Sequence, residues 1–258
     1  INNAGFHMDF YLDHYGNGYS RLFRYGDDDG NKGIFNPNGK GDIKNFTDEY
    51  LPAYELSKNN GYISFMTNNH DMPRMTHYFG MDAIKLAYAM IFTMPGVPFL
   101  YYGDEIGMKY QENLVSKEGG FSRTGSRTPM QWNSGKNLGF STSDTPYLPV
   151  DTDENAPTVE NQHNNPDSIY KVVTDIIALR HANEDLHGNG DFEMIFEAGK
   201  FPFGYKRGKF VMLFNPLGKE SDIEINAKGA KKVYEIGTTE VADNKVKMSA
   251  QSFVMLEI

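Results

Sequence analysis

The chain has 258 residues, 39% of them hydrophobic and 23% charged, which is enough for one large globular domain or two smaller ones. Its formal net charge of −9 argues against nucleic acid and anionic membranes as partners, because both attract basic surfaces. The sequence contains no cysteine, which excludes disulfides, zinc–thiolate sites and thiol nucleophiles but fixes no compartment.

The first 185 residues alternate between strand and helix patterns. The predicted elements are, in chain order, a strand over 6–12, a helix over 42–59, a strand over 62–67, a helix over 82–94 and a strand over 96–103. Thr47 is the candidate N-cap of the first helix. The strand over 62–67 is almost wholly apolar, as expected of a parallel strand covered on both faces. The pattern therefore predicts an α/β fold.

A long polar segment and one more helix complete this part of the chain. The segment from Glu105 to about Asn164 is rich in Gly, Ser, Thr, Pro and Asn, and is too long for a simple connector. It is therefore a candidate active-site loop. The helix predicted over 165–183 begins with Asn165 as N-cap and Pro166 at its first position.

From about residue 186 the pattern changes to short alternating runs separated by Gly, Asn and Lys. Such runs are typical of an antiparallel sandwich. We therefore expect two domains, an α/β domain over 1–185 and an all-β domain over 186–258.

Polar residues follow two of the predicted strands. Asn69, His70 and Asp71 come after the strand over 62–67, and Asp104 and Glu105 follow the next strand. Parallel strands end at one edge of a sheet and neighbours lie roughly 5 Å apart, so these groups can share a pocket mouth. Asp71 either stabilises developing positive charge there or caps a turn. For Asp104 and Glu105, a structural role in the turn is the favoured interpretation.

The histidines show no metal-ligand spacing. The run "GDDDGNKG" over 26–33 lacks the alternation and the distal Glu of a calcium loop, and is better interpreted as a solvated turn. We therefore expect no metal or cofactor in this chain.

Three motifs then carry a specific resemblance: "GYISFMTNNHDMPRM", "GVPFLYYGDEIGM" and "SRTPMQWN". In this order they resemble the α-amylase family of retaining glycoside hydrolases, most closely its oligo-1,6-glucosidase and α-glucosidase branch. The resemblance covers about residues 61–258. It implies that 1–185 form the C-terminal portion of a (β/α)8 TIM barrel, from about strand 6 to helix 8, followed by an antiparallel β-sandwich domain over 186–258.

The resemblance also implies site residues. Asp71 would be the transition-state stabiliser, while Asn69 and His70 would bind the substrate, with Arg74 supporting them from the rim. Trp132 would form a wall of the substrate entrance. The substrate would be an α-glucan oligosaccharide of the malto or isomalto type. Calcium is possible in a full-length enzyme, although nothing in this chain indicates it.

Two catalytic groups of such enzymes are missing from the sequence. A retaining glycosidase needs a nucleophile and a general acid, and the family's Gly-x-Arg-x-Asp pattern for the nucleophile does not occur here. We therefore expect a C-terminal fragment that is inactive alone. Because three barrel strands cannot close, it should form a homodimer or pair with a complementing N-terminal fragment.

Three alternatives stay open at this point. The chain is a non-catalytic α-glucan-binding or structural module, or it belongs to a glucosyl transferase such as a trehalose synthase-like enzyme. In the third alternative, Asp71 and Glu105 act as a self-sufficient acid/base pair.

Overall fold

The computed structural model describes residues 7–11, 33–38, 43–117, 122–195 and 201–258, so most of the acidic run over 26–33 lies outside the described residues. Its first part contains strands β1 (Met8–Tyr11) and β2 (Tyr62–Phe65) and helices α1 (Lys44–Ser57), α2 (Met81–Thr93), α3 (Val159–His163) and α4 (Ile169–Ala182). None of the helices in the described ranges is both long and apolar enough to span a bilayer.

β1 and β2 form a parallel pair in which Met8 lies opposite Tyr62 and Tyr11 opposite Phe65. In β2, Ile63, Ser64 and Phe65 are all buried, as expected of a strand covered on both faces. The parallel pairing and the helices that follow each strand agree with the expected barrel portion.

The prediction of a strand over the whole of 96–103 is wrong. Only one residue of it pairs, through a parallel bridge between Phe99 and Met66. Pro98 has no N–H to give to a ladder, and Gly96 and Gly103 both have positive φ angles, 92° and 82°, which turn the backbone away from the extended conformation. The apolar composition of this segment suggested a full strand, but only Phe99 takes part in a parallel bridge.

The N-cap prediction for Thr47 is also wrong. Helix α1 begins at Lys44, and the Thr47 hydroxyl donates to the carbonyl of Lys44 at 3.1 Å from inside the helix. A Thr can make this bond to the preceding turn, so its presence near a helix start does not mark the first residue.

Helix α4 begins later than its sequence predicted. The Asn165 side chain accepts from the N–H of Asp167 at 2.9 Å in the turn before the helix. The N-cap is Ser168, whose hydroxyl accepts from the N–H of Lys171 at 3.0 Å. Asn165 and Ser168 are both good N-cap residues, and the backbone conformation makes the second of them the cap.

We expect Ser168→Ala to lower the free energy of unfolding by about 1 kcal/mol, because one N–H of the first turn of α4 loses its acceptor. Asn165→Ala, which affects only the exposed turn, is the matched control and should cost less than about 0.5 kcal/mol. Urea unfolding of both variants measures the difference. Equal losses would contradict the assignment of Ser168 as the cap.

The remaining strands form two antiparallel sheets. They are β3 (Glu193–Met194), β4 (Phe203–Arg207), β5 (Phe210–Asn215), β6 (Ser221–Glu224), β7 (Lys231–Ile236), β8 (Thr239–Ala242), β9 (Lys245–Met248) and β10 (Ser252–Glu257). One sheet has the order β3-β4-β5-β10-β7 and the other β6-β9-β8. The predicted fold class, part of a TIM barrel followed by an antiparallel β-sandwich, is confirmed.

The five-stranded sheet is covered on both faces. Alternate residues of β5 point in opposite directions, as in any strand. Phe210, Met212 and Phe214 join the hydrophobic core that contains α2. Val211 and Leu213 instead pack with residues of the three-stranded sheet. The five-stranded sheet is therefore a middle layer between the barrel helices and the small sheet. The exact boundary between the two expected domains stays a prediction.

A buried arginine of β4 joins these layers. Arg207 has no exposed surface, and its guanidinium donates to the carbonyls of Thr93 at 2.5 Å, Asp191 at 2.6 Å and His187 at 2.5 Å. Burial lowers the pKa of Arg207 from its ordinary value. The side chain thus connects the end of α2 with the segment that leads into the sandwich.

A second arginine covers the same end of α2. Arg180 of α4 donates to the carbonyls of Phe92 at 2.8 Å, Met94 at 2.9 Å and Gly96 at 2.6 Å. Burial lowers the pKa of Arg180 to about 10, so it remains charged at neutral pH. The last carbonyls of a helix have no partner within it, and here a cation supplies donors to those at the end of α2.

Candidate active site

Asp71 lies in the turn that follows β2 and its one-residue extension at Met66. The side chain of Asn69 accepts from the N–H of Asp71 at 2.8 Å, which closes a tight turn of the kind that Asn favours. The Asp71 side chain is 48% exposed. The local sequence therefore presents this carboxylate at the surface, and Asn69 shapes the turn that does so.

Two arginines of the long loop hold the Asp71 carboxylate. Arg123 Nη1 lies 2.8 Å and Arg127 Nη2 lies 2.9 Å from the same oxygen, Oδ1. Arg127 also donates from Nε to the carbonyl of His70 at 2.9 Å. Sequence analysis did not select these two residues, although Arg127 lies inside the motif "SRTPMQWN" and Arg123 lies just before that motif.

His70 lies beside the second oxygen of the same carboxylate. Its Nε2 is 3.3 Å from Asp71 Oδ2, and its side chain is 63% exposed. The structure thus brings Asn69, His70 and Asp71 together at one surface.

The electrostatic surroundings favour the ionised form of Asp71. Desolvation by itself would raise the pKa of this carboxyl, but the hydrogen bond from Arg123, the neighbouring His70 and the hydrogen bond from Arg127 together lower it below its ordinary value. Asp71 is therefore a fixed negative charge at neutral pH.

We expect the double variant Arg123→Gln/Arg127→Gln to raise the pKa of Asp71, because the carboxylate loses both cationic partners. Carbon-13 NMR of the labelled carboxyl during a pH titration measures the shift. In the wild-type chain the contact contributes to stability above the unfolded-state pKa and is lost as the pH falls through the lower folded-state pKa. An unchanged pKa in the double variant would contradict the observed ion pairs.

The rim position expected for Arg74 is wrong. Arg74 is 0% exposed, and its guanidinium is paired with the buried carboxylate of Asp104 at 2.8 Å. It stacks near the rings of Tyr101 and Tyr102, 4.9 and 5.0 Å from their centroids. A charge cannot stay buried alone, and the carboxylate that pairs with it lies 30 positions later, which local sequence does not reveal.

Asp104 and Glu105 occupy different environments. Burial raises the pKa of Asp104, an effect that the Arg74 guanidinium and the Asn68 amide oppose. Burial also raises the pKa of Glu105, opposed by backbone hydrogen bonds of Glu105 and Gly103. The described contacts of Asp71 do not include Glu105, so they give no support to the alternative in which these two residues act as an acid/base pair.

The long loop is anchored to the strand ends by hydrogen bonds. Tyr102 donates from its hydroxyl to the carbonyl of Thr128 at 2.7 Å, and Thr76 donates to the carbonyl of Met108 at 2.9 Å. Trp132 follows in the loop and is 49% exposed. Its role as a wall of a substrate entrance stays a prediction.

In the part of the chain that the structure describes, no three His, Asp or Glu side chains converge where a metal ion would bind. The expectation about metals and cofactors is not tested by this and stays a prediction.

Comparison with known proteins identifies the family. Residues 6–189 match the model of the α-amylase catalytic domain. The chain is 34% identical over 181 residues to a probable oligo-1,6-glucosidase 2 of Bacillus subtilis, covering 57% of this chain and 32% of the relative. It is 30% identical over 235 residues to an oligo-1,6-glucosidase of Halalkalibacterium halodurans, covering 74% of this chain and 41% of the relative.

A solved structure supports the same fold. The crystal structure of an α-amylase from H. orenii superposes with a TM-score of 0.74 at 20% identity, covering 99% of this chain and 50% of that chain. The chain thus spans about a third to a half of the length of these similar proteins. The family match, the similar relatives and the shared architecture show that this chain belongs to the α-amylase family of glycoside hydrolases, in its oligo-1,6-glucosidase branch.

Proposed function

We propose that this chain is the C-terminal part of an enzyme that cleaves α-glucosidic bonds of malto- or isomalto-oligosaccharides with retention of configuration. One observation carries the proposal: Asp71 is a half-exposed, ionised carboxylate at a strand end of a family barrel, oriented by a neighbouring histidine and two arginines. A fixed anion at this place suits a reaction whose transition state carries positive charge on the sugar ring.

The two oxygens of Asp71 have different surroundings, which supports a division of roles. Both arginine contacts fall on Oδ1, while Oδ2 has the longer contact to His70 at 3.3 Å. We infer that Oδ2 accepts a hydrogen bond from a sugar hydroxyl and that His70 donates to the same ring. Asn69 acts one step away, by shaping the turn that presents the carboxylate.

Cleavage needs a nucleophile and a general acid that we expect outside this chain. In retaining enzymes these two carboxyl groups lie about 5–5.5 Å apart on either side of the bond that breaks. The barrel strands of this chain leave unpaired edges. We therefore expect the chain to pair either with a fragment that carries the remaining barrel strands or with a second copy of itself.

Fragment complementation tests the proposal. The chain should show no hydrolysis of p-nitrophenyl α-glucoside alone, and should gain it when mixed with a fragment that carries the first five barrel strands. Titration calorimetry of the mixture with isomaltose and with maltose measures sugar binding separately from hydrolysis. Sugar binding without hydrolysis in the mixture would favour the non-catalytic glucan-binding module, and glucosyl transfer products would favour the transferase.

A further inference from the structure

Arg74 connects three segments of the site. Its Nη1 donates to the Asp104 carboxylate and to the carbonyl of Tyr102, both at 2.8 Å, and its Nη2 donates to the carbonyl of Ser126 at 3.1 Å. The side chain thus extends from the turn that carries Asp71 to the segment after the bridge at Phe99, and from there to the long loop.

The partner of Arg74 is itself fixed to the end of β2. The Asp104 carboxylate accepts from the Asn68 amide at 3.3 Å and from the Thr67 hydroxyl at 3.4 Å. Thr67, Asn68 and Asp104 are all buried. The Arg74–Asp104 pair is therefore attached to the strand end rather than to an exposed loop.

Ser126 is the point at which the long loop meets this pair. It is buried, its carbonyl accepts from Arg74, and its hydroxyl donates to the carbonyl of Met72 at 2.5 Å. Ser126 lies directly before Arg127 and shortly after Arg123, the two residues whose guanidinium groups contact Asp71. A shift of Ser126 therefore displaces the backbone that carries both arginines.

We propose that Arg74 is a positioning residue, which fixes Ser126 against the strand end and thereby aligns Arg123 and Arg127 with the Asp71 carboxylate. The planar guanidinium is suited to this role, because it donates at once to a carboxylate and to two carbonyls that diverge from it. A lysine at position 74 keeps the positive charge but has a single ammonium group. It can therefore pair with Asp104 but cannot also donate to the carbonyls of Tyr102 and Ser126. The proposal deepens the proposed function, on which its relevance to catalysis rests.

The test compares Arg74→Lys with the wild-type chain by titrating the Asp71 carboxyl with carbon-13 NMR. We expect the pKa of Asp71 to rise, and to reproduce most of the rise that Arg123→Gln/Arg127→Gln shows, although Arg74 does not contact Asp71 and its charge is kept. Within the described ranges, the groups that lower the pKa of Asp71 are the His70 side chain and the guanidinium groups of Arg123 and Arg127, so a rise reports their displacement. An unchanged pKa would overturn the proposal.

Arg180→Lys is the matched control. It likewise removes a guanidinium with three acceptors, but here they are three carbonyls at the C-terminal end of α2. We expect it to lower the unfolding midpoint and to leave the pKa of Asp71 unchanged. If both lysine variants raised the pKa of Asp71 equally, the effect would be general loosening, and the proposal would fail.

Asp104→Asn keeps the test decisive if Arg74→Lys does not fold. Any direct electrostatic effect of removing the Asp104 charge lowers the pKa of Asp71, whereas loosening Arg74 raises it, so the sign distinguishes the two effects. We expect a rise, and a fall would overturn the proposal. These titrations need no hydrolysis, so a failed complementation would refute the proposed function without deciding the role of Arg74.

Discussion

Replacing Asp71 by Asn should lower kcat for p-nitrophenyl α-glucoside about a thousandfold in the mixture of this chain with the complementing fragment. The amide is nearly the same size as the carboxylate but lacks the charge that offsets positive charge on the sugar ring. Because that charge develops mainly in the transition state, KM should change much less than kcat.

Asp153→Asn is the control for this experiment. Asp153 belongs to the same long loop and is also an ionised carboxylate with a cationic partner, Lys109, at 2.5 Å. Its variant should hydrolyse the substrate at close to the wild-type rate. Near wild-type activity of Asp71→Asn would instead refute the assignment of Asp71 as the transition-state stabiliser.

The second large effect is expected on stability. Replacing Arg207 by Met should lower the free energy of unfolding by about 3 kcal/mol, because the carbonyls of Thr93, Asp191 and His187 lose the donor that covers them. Methionine fills much of the same volume, so the loss reports the hydrogen bonds more than a cavity. Urea unfolding, with a linear extrapolation to water, measures the change.

Lys209→Met provides the comparison. Lys209 follows Arg207 closely in the chain and pairs with Glu257 at 2.8 Å, but both side chains are substantially exposed. Exposed pairs contribute little, so this variant should lose less than about 1 kcal/mol. If the two variants unfolded at the same urea concentration, Arg207 would not be the connection between the barrel helices and the sandwich that its contacts indicate.

Patterns among neighbouring residues predicted much of the fold. Helix α2 was expected over 82–94 and lies at Met81–Thr93, because its apolar spacing is strong. The short runs from about residue 186 likewise predicted antiparallel strands, and β5 and β10 form such a pair. The β8–β9 hairpin was not predicted, since the sequence there is polar and only Val246 and Met248 are buried in β9.

Where two nearby residues could each serve as a helix cap, only the backbone conformation showed which of them does. Asn165 and Ser168 are equivalent as candidate caps, and only the path of the chain made Ser168 the acceptor at the start of α4. The same holds for Thr47, whose hydroxyl can cap a helix or bond within it, and which does the second here.

By itself, the sequence determined the α/β character of the first part of the chain, the antiparallel β character of the second, and the position of Asn69, His70 and Asp71 after a buried strand. These features depend on periodicity and strand ends within short stretches of chain. Only the tertiary structure decided that Arg74 is enclosed with Asp104 and that Arg123 and Arg127 meet Asp71. Those contacts join residues 30, 52 and 56 positions apart. Loop packing brings such donors and acceptors together, and the need to pair a buried charge selects among them.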